Sequence, residues 1–285
     1  MIKPAVHKFF RGFGLDIIRY RGQEDEYPVD LRDDETSIIR EVRPWTMTSA
    51  ERLYALIQAV RYVCSNGILG AIVECGVWKG GSMAATAKTL LQMQDVKRDL
   101  YLFDTFEGMS EPTSKDVDYS GKKASKILQE DPGFWCADAP LEGVKRVLYE
   151  TGYPEEKIHF VQGRVEETIP ASAPDSISLL RLDTDWYEST KHELVHLFPR
   201  LSPSGVIIID DYGHWKGSRL ACDEYFAEKR IHILLNRIDY TGRIGLKLRS
   251  ITLCAWLSSA GPDSSARTWS MHSFEKVSAF ASLAT

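Results

Sequence analysis

Short apolar runs alternate with helical patterns through the middle of the chain. The runs are continuously hydrophobic, as in strands that a parallel sheet buries on both faces. Predicted strands cover residues 71–77, 100–106, 158–162, 177–183 and 206–210. Apolar positions at three- and four-residue steps predict helices from residue 48 to a stop at Asn66-Gly67 and over about 82–92, 141–151, 189–201 and 217–229. This alternation predicts an α/β fold with a doubly wound, mostly parallel sheet.

The first 47 residues are predicted to form an N-terminal extension. Residues 1–22 carry apolar side chains at roughly helical spacing with five lysines and arginines between them, which predicts a basic amphipathic helix. We expect this helix to pack on the body of the protein or on a second subunit, with docking on a membrane surface or a partner as the alternative. Residues 22–37 are acidic and turn-rich and are interpreted as a loop.

A long polar stretch interrupts the alternation after the second predicted strand. Residues 108–140 are rich in Pro, Gly and aromatic side chains, and loops of this length in compact domains are usually functional lids or disordered. Since the stretch follows the carboxyl end of a strand, where open α/β sheets bind ligands, we interpret it as a lid. The main domain is expected to span residues 48–257, and the Ser- and Ala-rich residues 258–285 are expected to form a loosely held tail.

The composition of the 285 residues narrows the class of protein. Hydrophobic residues make up 44% of the chain and charged residues 26%, as in ordinary globular proteins. A formal net charge of −5 disfavours nucleic-acid binding. The five cysteines are scattered and contain no CxxC pair, which argues against a disulfide framework or a zinc knuckle and favours a reducing cytoplasm. We find neither an apolar run long enough to span a membrane nor the pattern of a signal peptide.

A glycine-rich turn joins the first predicted strand to the next helix. The stretch VECGVWKGGS, which ends at Ser82, lets a ligand approach the backbone near Gly76, and the helix N-terminus favours negative groups. The glycines lack the G-x-G-x-x-G spacing of dinucleotide sites, and no Gly-Lys-Ser/Thr triplet marks a P-loop. Glu74, just before the turn, suits a cationic ligand. A purely structural strand-to-helix turn explains the pattern equally well.

Another acid, Asp104, lies at the end of the second predicted strand. In α/β nucleotide sites an acid at this place accepts hydrogen bonds from both ribose hydroxyls. Capping of the following loop is an equal alternative for Asp104 alone. Together with Glu74, it favours a ligand that carries a ribose.

Four aspartates follow the fourth and fifth predicted strands: Asp183, Asp185, Asp210 and Asp211. Because both strands are predicted to be parallel neighbours, the four carboxylates should meet at one edge of the sheet. Such a concentration of like charge is costly unless a cation neutralises it, and Mg²⁺ prefers oxygen ligands of this kind. Capping of a helix or turn is the alternative for any one of them, notably Asp185. The group as a whole predicts a metal site.

Other catalytic patterns are missing from the sequence. The histidines show no H-E-x-x-H or similar ligand spacing, and His214 is interpreted as a surface residue with site lining as the alternative. The Gly-x-Ser-x-Gly elbow of α/β-hydrolases does not occur. Zinc chemistry and serine hydrolysis are therefore not expected.

Three segments resemble the macrocin O-methyltransferase family, whose members act on antibiotic sugars and related hydroxyls. They read VECGVWKGGS, LYLFDTFEGM and LLRLDTDWYESTKHELVHLFPRLSPSGVIIIDDYG, and the similarity runs from about residue 71 to 240. The resemblance implies a class I methyltransferase fold with a seven-stranded sheet, S-adenosylmethionine and Mg²⁺. It also implies roles for single residues: Asp183, Asp210 and Asp211 as metal ligands, Asp185 as general base, and Glu74, Gly76, Ser82 and Asp104 in the cofactor site.

The expected function is Mg²⁺-dependent transfer of a methyl group from S-adenosylmethionine to a hydroxyl of a sugar or glycosylated natural product. A nicotinamide-dependent sugar oxidoreductase is one alternative, although the dinucleotide fingerprint and a Tyr-x-x-x-Lys pair are missing. A non-enzymatic cofactor-binding scaffold is another, although a protein without activity has no need of four acids. We also expect a homo-oligomer that associates through the N-terminal region.

Overall fold

Seven strands form one mixed sheet in the computed structural model, which describes residues 27–130 and 139–248. The strand order is β3-β2-β1-β4-β5-β7-β6. The first five strands are parallel to one another, and β7 runs antiparallel to both of its neighbours. Their bounds are β1 Ala71–Cys75, β2 Leu100–Asp104, β3 Ile158–Gln162, β4 Ile177–Leu182, β5 Leu201–Ile209, β6 Asn236–Arg237 and β7 Arg243–Leu246.

Helices cover both faces of this sheet. In chain order they are α1 Asp33–Val42, α2 Ala50–Ser65, α3 Gly81–Gln92, α4 Ala124–Glu130, α5 Leu141–Tyr149, α6 Val165–Thr168, α7 Tyr187–Leu197 and α8 Lys216–Glu228. Among the described residues, no helix is both long and apolar enough to cross a bilayer.

Two hydrophobic cores lie on opposite faces of the sheet. Successive strand residues point to opposite faces, so Ile72 packs in one core with α1, α2, α3 and α5, and Val73 packs in the other with α7 and α8. Strands β1 and β4 are buried along their whole length. This double burial explains why the strands read as continuous apolar runs and why their polar residues lie mainly at the carboxyl ends.

All five predicted strands are confirmed, and their ends differ by a few residues. The largest difference is in β5, which begins at Leu201 instead of residue 206. The polar residues Ser202 and Ser204 hide this start, and the pairing of β5 with β4 is irregular there. Strands β6 and β7 are too short to give a pattern of their own.

The predicted loop over residues 22–37 is wrong from residue 33 onward, where α1 begins. Three acids in its first turn stabilise the helix, because their negative charges interact with the positive end of the helix dipole. The carboxylate of Glu35 also accepts a hydrogen bond of 2.8 Å from the backbone N–H of Arg32, which closes a capping interaction. Ile38 and Ile39 are buried in the core that α1 shares with α2 and α3.

Several other predictions fall wholly or partly outside the described residues. These are the basic amphipathic helix over 1–22, the tail over 258–285 and the part of the predicted lid from 131 to 138. Within the remaining lid, α4 is a helix that the polar composition did not predict.

Candidate active site

A cavity of about 360 Å³ lies at the carboxyl ends of the parallel strands. The turns after β1, β2, β4 and β5 line it, together with the connection between α1 and α2 and the turn between β6 and β7. Its volume is within the usual range of small-molecule sites. The four predicted acids and the predicted glycine turn therefore share one cavity.

The glycine turn after β1 brings two strand ends close together. Gly76 has a φ of +82°, and a Cβ at this position would lie 2.1 Å from the carbonyl oxygen of Asp183. Gly80 is also left-handed and begins α3 as its N-cap. Ser82 in the first turn of α3 is buried at the cavity wall, 3.4 Å from the hydroxyl of Thr48.

Asp104 ties the turn after β1 to the turn after β2. Its Oδ2 accepts hydrogen bonds from the backbone N–H groups of Val77 at 2.6 Å and Trp78 at 3.1 Å. Its Oδ1 accepts one from Phe106 N–H at 2.8 Å and one from Thr105 Oγ1 at 3.4 Å. The one proton of the Thr105 hydroxyl has a closer acceptor in the carbonyl oxygen of Gly108, at 2.5 Å, so the three backbone N–H groups are the main donors and occupy most of the acceptor capacity of the carboxylate.

The four predicted acids come together at the ends of β4 and β5. One oxygen each from Asp183, Asp210 and Asp211 lies within 4.8 Å of the others. Burial raises the pKa of Asp183 well above its usual range, and burial with the nearby Asp185 charge does the same for Asp211. Burial also raises the pKa of Asp185 to about 7. Asp185 has a φ of +65°, a strained conformation for a residue with a side chain.

Arg181 on β4 lies beneath this acid cluster. Its guanidinium forms ion pairs with Glu74, with Asp183 at 2.8 Å and with Asp210 at 2.8 Å. It also donates a hydrogen bond of 3.1 Å to the hydroxyl of Thr48. Arg181 was missed in the sequence analysis, and the available signal was a lone charged residue inside an apolar predicted strand.

A second arginine, Arg52, reaches the cluster from α2. It pairs with Asp210, and its Nε lies 3.0 Å from Asp239 Oδ2 in the turn between β6 and β7. Ser49 also donates a hydrogen bond of 2.8 Å to Asp239. No sequence pattern pointed to this contact, because it joins residues far apart in the chain.

The predicted site residues divide into two groups. Seven of them line the cavity: Gly76, Ser82, Asp104, Asp183, Asp185, Asp210 and Asp211. Glu74 does not; its buried carboxylate faces Arg181, and burial raises its pKa to about 7. His214, for which a surface position was the main interpretation, is half-buried and lines the cavity.

The segment after β2 is anchored to the cavity by a buried aspartate. Oδ1 of Asp116 accepts a hydrogen bond of 2.8 Å from the N–H of Tyr187, the first residue of α7. Its Oδ2 accepts one of 2.6 Å from Thr113 N–H. Trp186 donates through Nε1 to the carbonyl oxygen of Ser110 at 2.8 Å. Residues 108–110 line the cavity, and their action as a lid stays a prediction.

The family model of macrocin O-methyltransferases matches residues 23–244, most of the chain and all of the sheet except its last two residues. The chain belongs to the macrocin O-methyltransferase family. It is therefore an enzyme of the O-methyltransferase class, and this decides against the oxidoreductase and scaffold alternatives. The resemblance stated from the sequence is confirmed.

Named relatives agree with this membership. One relative is 8-demethyl-8-(2,3-dimethoxy-alpha-L-rhamnosyl)-tetracenomycin-C 4'-O-methyltransferase from Streptomyces olivaceus. It is 32% identical over 85% of this chain and 88% of its own. Demethyldecarbamoylnovobiocin O-methyltransferase from Streptomyces niveus is 31% identical over 69% of this chain and 73% of its own.

A solved relative supports the fold assignment. The structure of the O-methyltransferase NovP has a TM-score of 0.64 and 31% identity, and the match covers 72% of this chain and 83% of NovP. The seven-stranded α/β sheet is thus of the class I methyltransferase type, as expected for this family.

The close approach at Gly76 can be tested against a second left-handed glycine. Gly152 has a φ of +79° and nothing within 4 Å of a Cβ, so Gly152→Ala should cost only the backbone term, about 1–2 kcal/mol. Gly76→Ala adds a clash with backbone and should lower the free energy of unfolding by about 2–5 kcal/mol in total. Urea denaturation measures both values, and equal losses would contradict the contact between the ends of β1 and β4.

Proposed function

We propose that this enzyme transfers the methyl group of S-adenosylmethionine to a hydroxyl of a sugar or glycosylated natural product, with Mg²⁺ bound at the acid cluster. The observation that carries this proposal is the single cavity that joins the glycine turn to four aspartates. The substrates in the names of the tetracenomycin and novobiocin relatives support a glycosylated acceptor.

The donor is proposed to lie over the turn after β1. Gly76 and Ser82 line this part of the cavity, and a sulfonium cation is favoured where acids outnumber bases. With most of its acceptor sites occupied by backbone N–H groups, Asp104 would act mainly by holding the Val77–Trp78 turn in place. Glu74 would act from behind the cavity, through its ion pair with Arg181.

The acid cluster fits a hard divalent cation. Asp183, Asp210 and Asp211 offer three carboxylate oxygens close together, and carboxylates are preferred ligands of Mg²⁺. Asp211 Oδ2 is buried and accepts no hydrogen bond from any of the described residues, which leaves it available as a ligand. Arg52 and Arg181 neutralise only part of the charge, so a cation would complete the balance.

Asp185 is proposed to accept the proton that the acceptor hydroxyl loses. Its side chain lines the cavity beside Asp211, and a carboxylate within reach of a hydroxyl is a suitable general base. A bound Mg²⁺ supplies Lewis acidity, which lowers the pKa of a hydroxyl. The walls formed by Trp186 and Trp215 would limit water and orient the acceptor.

Three expectations from the sequence remain proposals. They are the homo-oligomer that associates through the N-terminal region, the cytoplasmic location, and the limits 48–257 of the catalytic domain. Gel filtration with light scattering would test the first.

Donor binding depends, in this proposal, on the backbone contacts of Asp104. Asp104→Asn replaces an acceptor oxygen with a donor, and the lost charge-assisted bonds should weaken S-adenosylmethionine binding by about tenfold or more. Calorimetric titration measures this. Asp99→Asn, just before the opposite end of β2, is the matched control and should bind like the unmodified enzyme. Binding of NAD or NADP in place of S-adenosylmethionine would overturn the proposed donor.

Metal dependence is tested by chelation and by one ligand variant. EDTA should abolish turnover, and added Mg²⁺ should restore it. Asp211→Asn removes charge from the buried oxygen and should weaken Mg²⁺ binding, measured by calorimetry, by at least about tenfold. Asp223→Asn on α8 is an aspartate outside the cavity and serves as the control. Turnover that persists in EDTA would exclude the metal role.

The base is tested separately from the metal. Asp185→Asn should lower kcat by about 10²–10⁴-fold, because it removes a general base. Affinities for S-adenosylmethionine and Mg²⁺ should change by less than about threefold, since the ligand oxygens are untouched. Unchanged kcat would assign the proton to another residue.

A further inference from the structure

One buried carboxyl beside the active site has no counter-charge. Glu193 on α7 is fully buried, and its Oε1 accepts a hydrogen bond of 2.9 Å from the hydroxyl of Thr184. Its Oε2 is also buried and accepts no hydrogen bond from the part of the chain that the structure describes. Within that part, no lysine, arginine or histidine forms an ion pair with it. Burial raises the pKa of Glu193 well above its usual range.

This arrangement is unfavourable for stability. Glu193 is followed on α7 by Leu194 and Leu197, both fully buried in the apolar core on this face. A buried polar atom without a partner costs about 1–3 kcal/mol, whereas an apolar side chain of similar volume would gain from burial. Glu74, the other deeply buried glutamate near the site, is paired with Arg181. Helix packing therefore gives no reason for a carboxyl at position 193.

The side-chain hydrogen bond that Glu193 makes within the described residues holds the segment that carries the acids. Thr184 lies between Asp183 and Asp185, one a proposed ligand and the other the proposed base. The N–H of Asp183 is held by the carbonyl oxygen of Cys75 at 2.8 Å, and Trp186 N–H turns back to the carbonyl oxygen of Thr184 at 2.7 Å. Asp185 between them is in the strained left-handed region. The Thr184 hydroxyl links this short segment to α7 through Glu193.

We propose that Glu193 is a positioning residue: through the hydroxyl of Thr184 it fixes the direction of the Asp183 and Asp185 carboxylates, at a cost in stability. This inference rests on the proposed function of those two acids. A residue that orients ligands and base without touching substrate affects metal affinity and turnover, typically by about 10–100-fold. It leaves donor binding unchanged, because the glycine turn is held by Asp104 instead.

Two apolar variants and their conservative counterparts test the link. Glu193→Leu and Thr184→Val remove one side of the bond each, and each should lower kcat and Mg²⁺ affinity by about tenfold or more. The double variant should be no worse than the single ones, since both remove the same interaction. Glu193→Gln and Thr184→Ser keep the hydrogen bond and should retain most of the kcat and the Mg²⁺ affinity of the unmodified enzyme. The KM for S-adenosylmethionine should stay within about twofold throughout.

Thermal unfolding separates positioning from a structural role. Glu193→Leu should have an unchanged or higher Tm in spite of its lower kcat. Thr89→Val is the matched control: the Thr89 hydroxyl is also fully buried, and it donates to Ala85 O at 2.7 Å on α3, so its loss should leave kcat unchanged. Should Glu193→Leu fail to fold, Thr184→Val gives the same test.

The outcomes that overturn the inference are distinct from a failure of the proposed function. If Thr184→Val has the kcat and Mg²⁺ affinity of the unmodified enzyme, Glu193 does not position the acids. The same conclusion holds if kcat falls in proportion to Tm in every variant. Turnover of the unmodified enzyme that is insensitive to EDTA would instead refute the metal role, before any variant is compared.

Discussion

A buried guanidinium makes this active site possible. Carboxylates taken out of water without counter-charge cost several kcal/mol each, and Arg181 forms ion pairs with Glu74, Asp183 and Asp210 at once, which offsets part of this cost. The sheet itself provides the pairing, because Glu74 and Arg181 are direct neighbours in the register of β1 and β4. Removal of one partner from such a buried pair typically costs about 3–5 kcal/mol. The acids at the cavity therefore depend on a residue that does not line it.

The hydrogen bonds of each carboxylate distinguish the acids that hold loops from those whose burial is not offset by backbone N–H groups. Asp104 and Asp116 accept backbone N–H groups with both oxygens. Asp239 accepts the N–H groups of Thr241 and Gly242 with Oδ1 and the Ser49 hydroxyl with Oδ2, and although burial alone would raise its pKa, these bonds lower it. Asp185 and Asp211 have raised pKa values instead, because burial, together with the charges of neighbouring aspartates, outweighs the hydrogen bonds that Asp185 makes with Asp211 and Trp215.

The fold and the set of cavity acids were predictable from the sequence. Parallel strands have their carboxyl ends at the same edge of a sheet, so aspartates that follow consecutive apolar runs must lie in one shared site. Side-chain partners were not predictable, since they depend on strand register and on which helix crosses which strand end. Arg52 reaches Asp210 only because α2 packs beside β5. Glu74 pairs with Arg181 and does not line the cavity. Helix α1 was missed because its first turn is acidic, and acidic residues are typical both of the start of a helix and of a solvated loop.

Two buried glutamates show different solutions to one problem. Glu74 is paired in the sheet, where a rigid register brings a guanidinium within reach. Glu193 is on a helix, no cation pairs with it among the described residues, and its hydrogen bond comes from the uncharged hydroxyl of Thr184. The first arrangement lets acids be buried at all, whereas the second fixes the segment in which Asp185 is strained. The two arrangements meet at Asp183, which pairs with Arg181 and lies next to Thr184 in the chain.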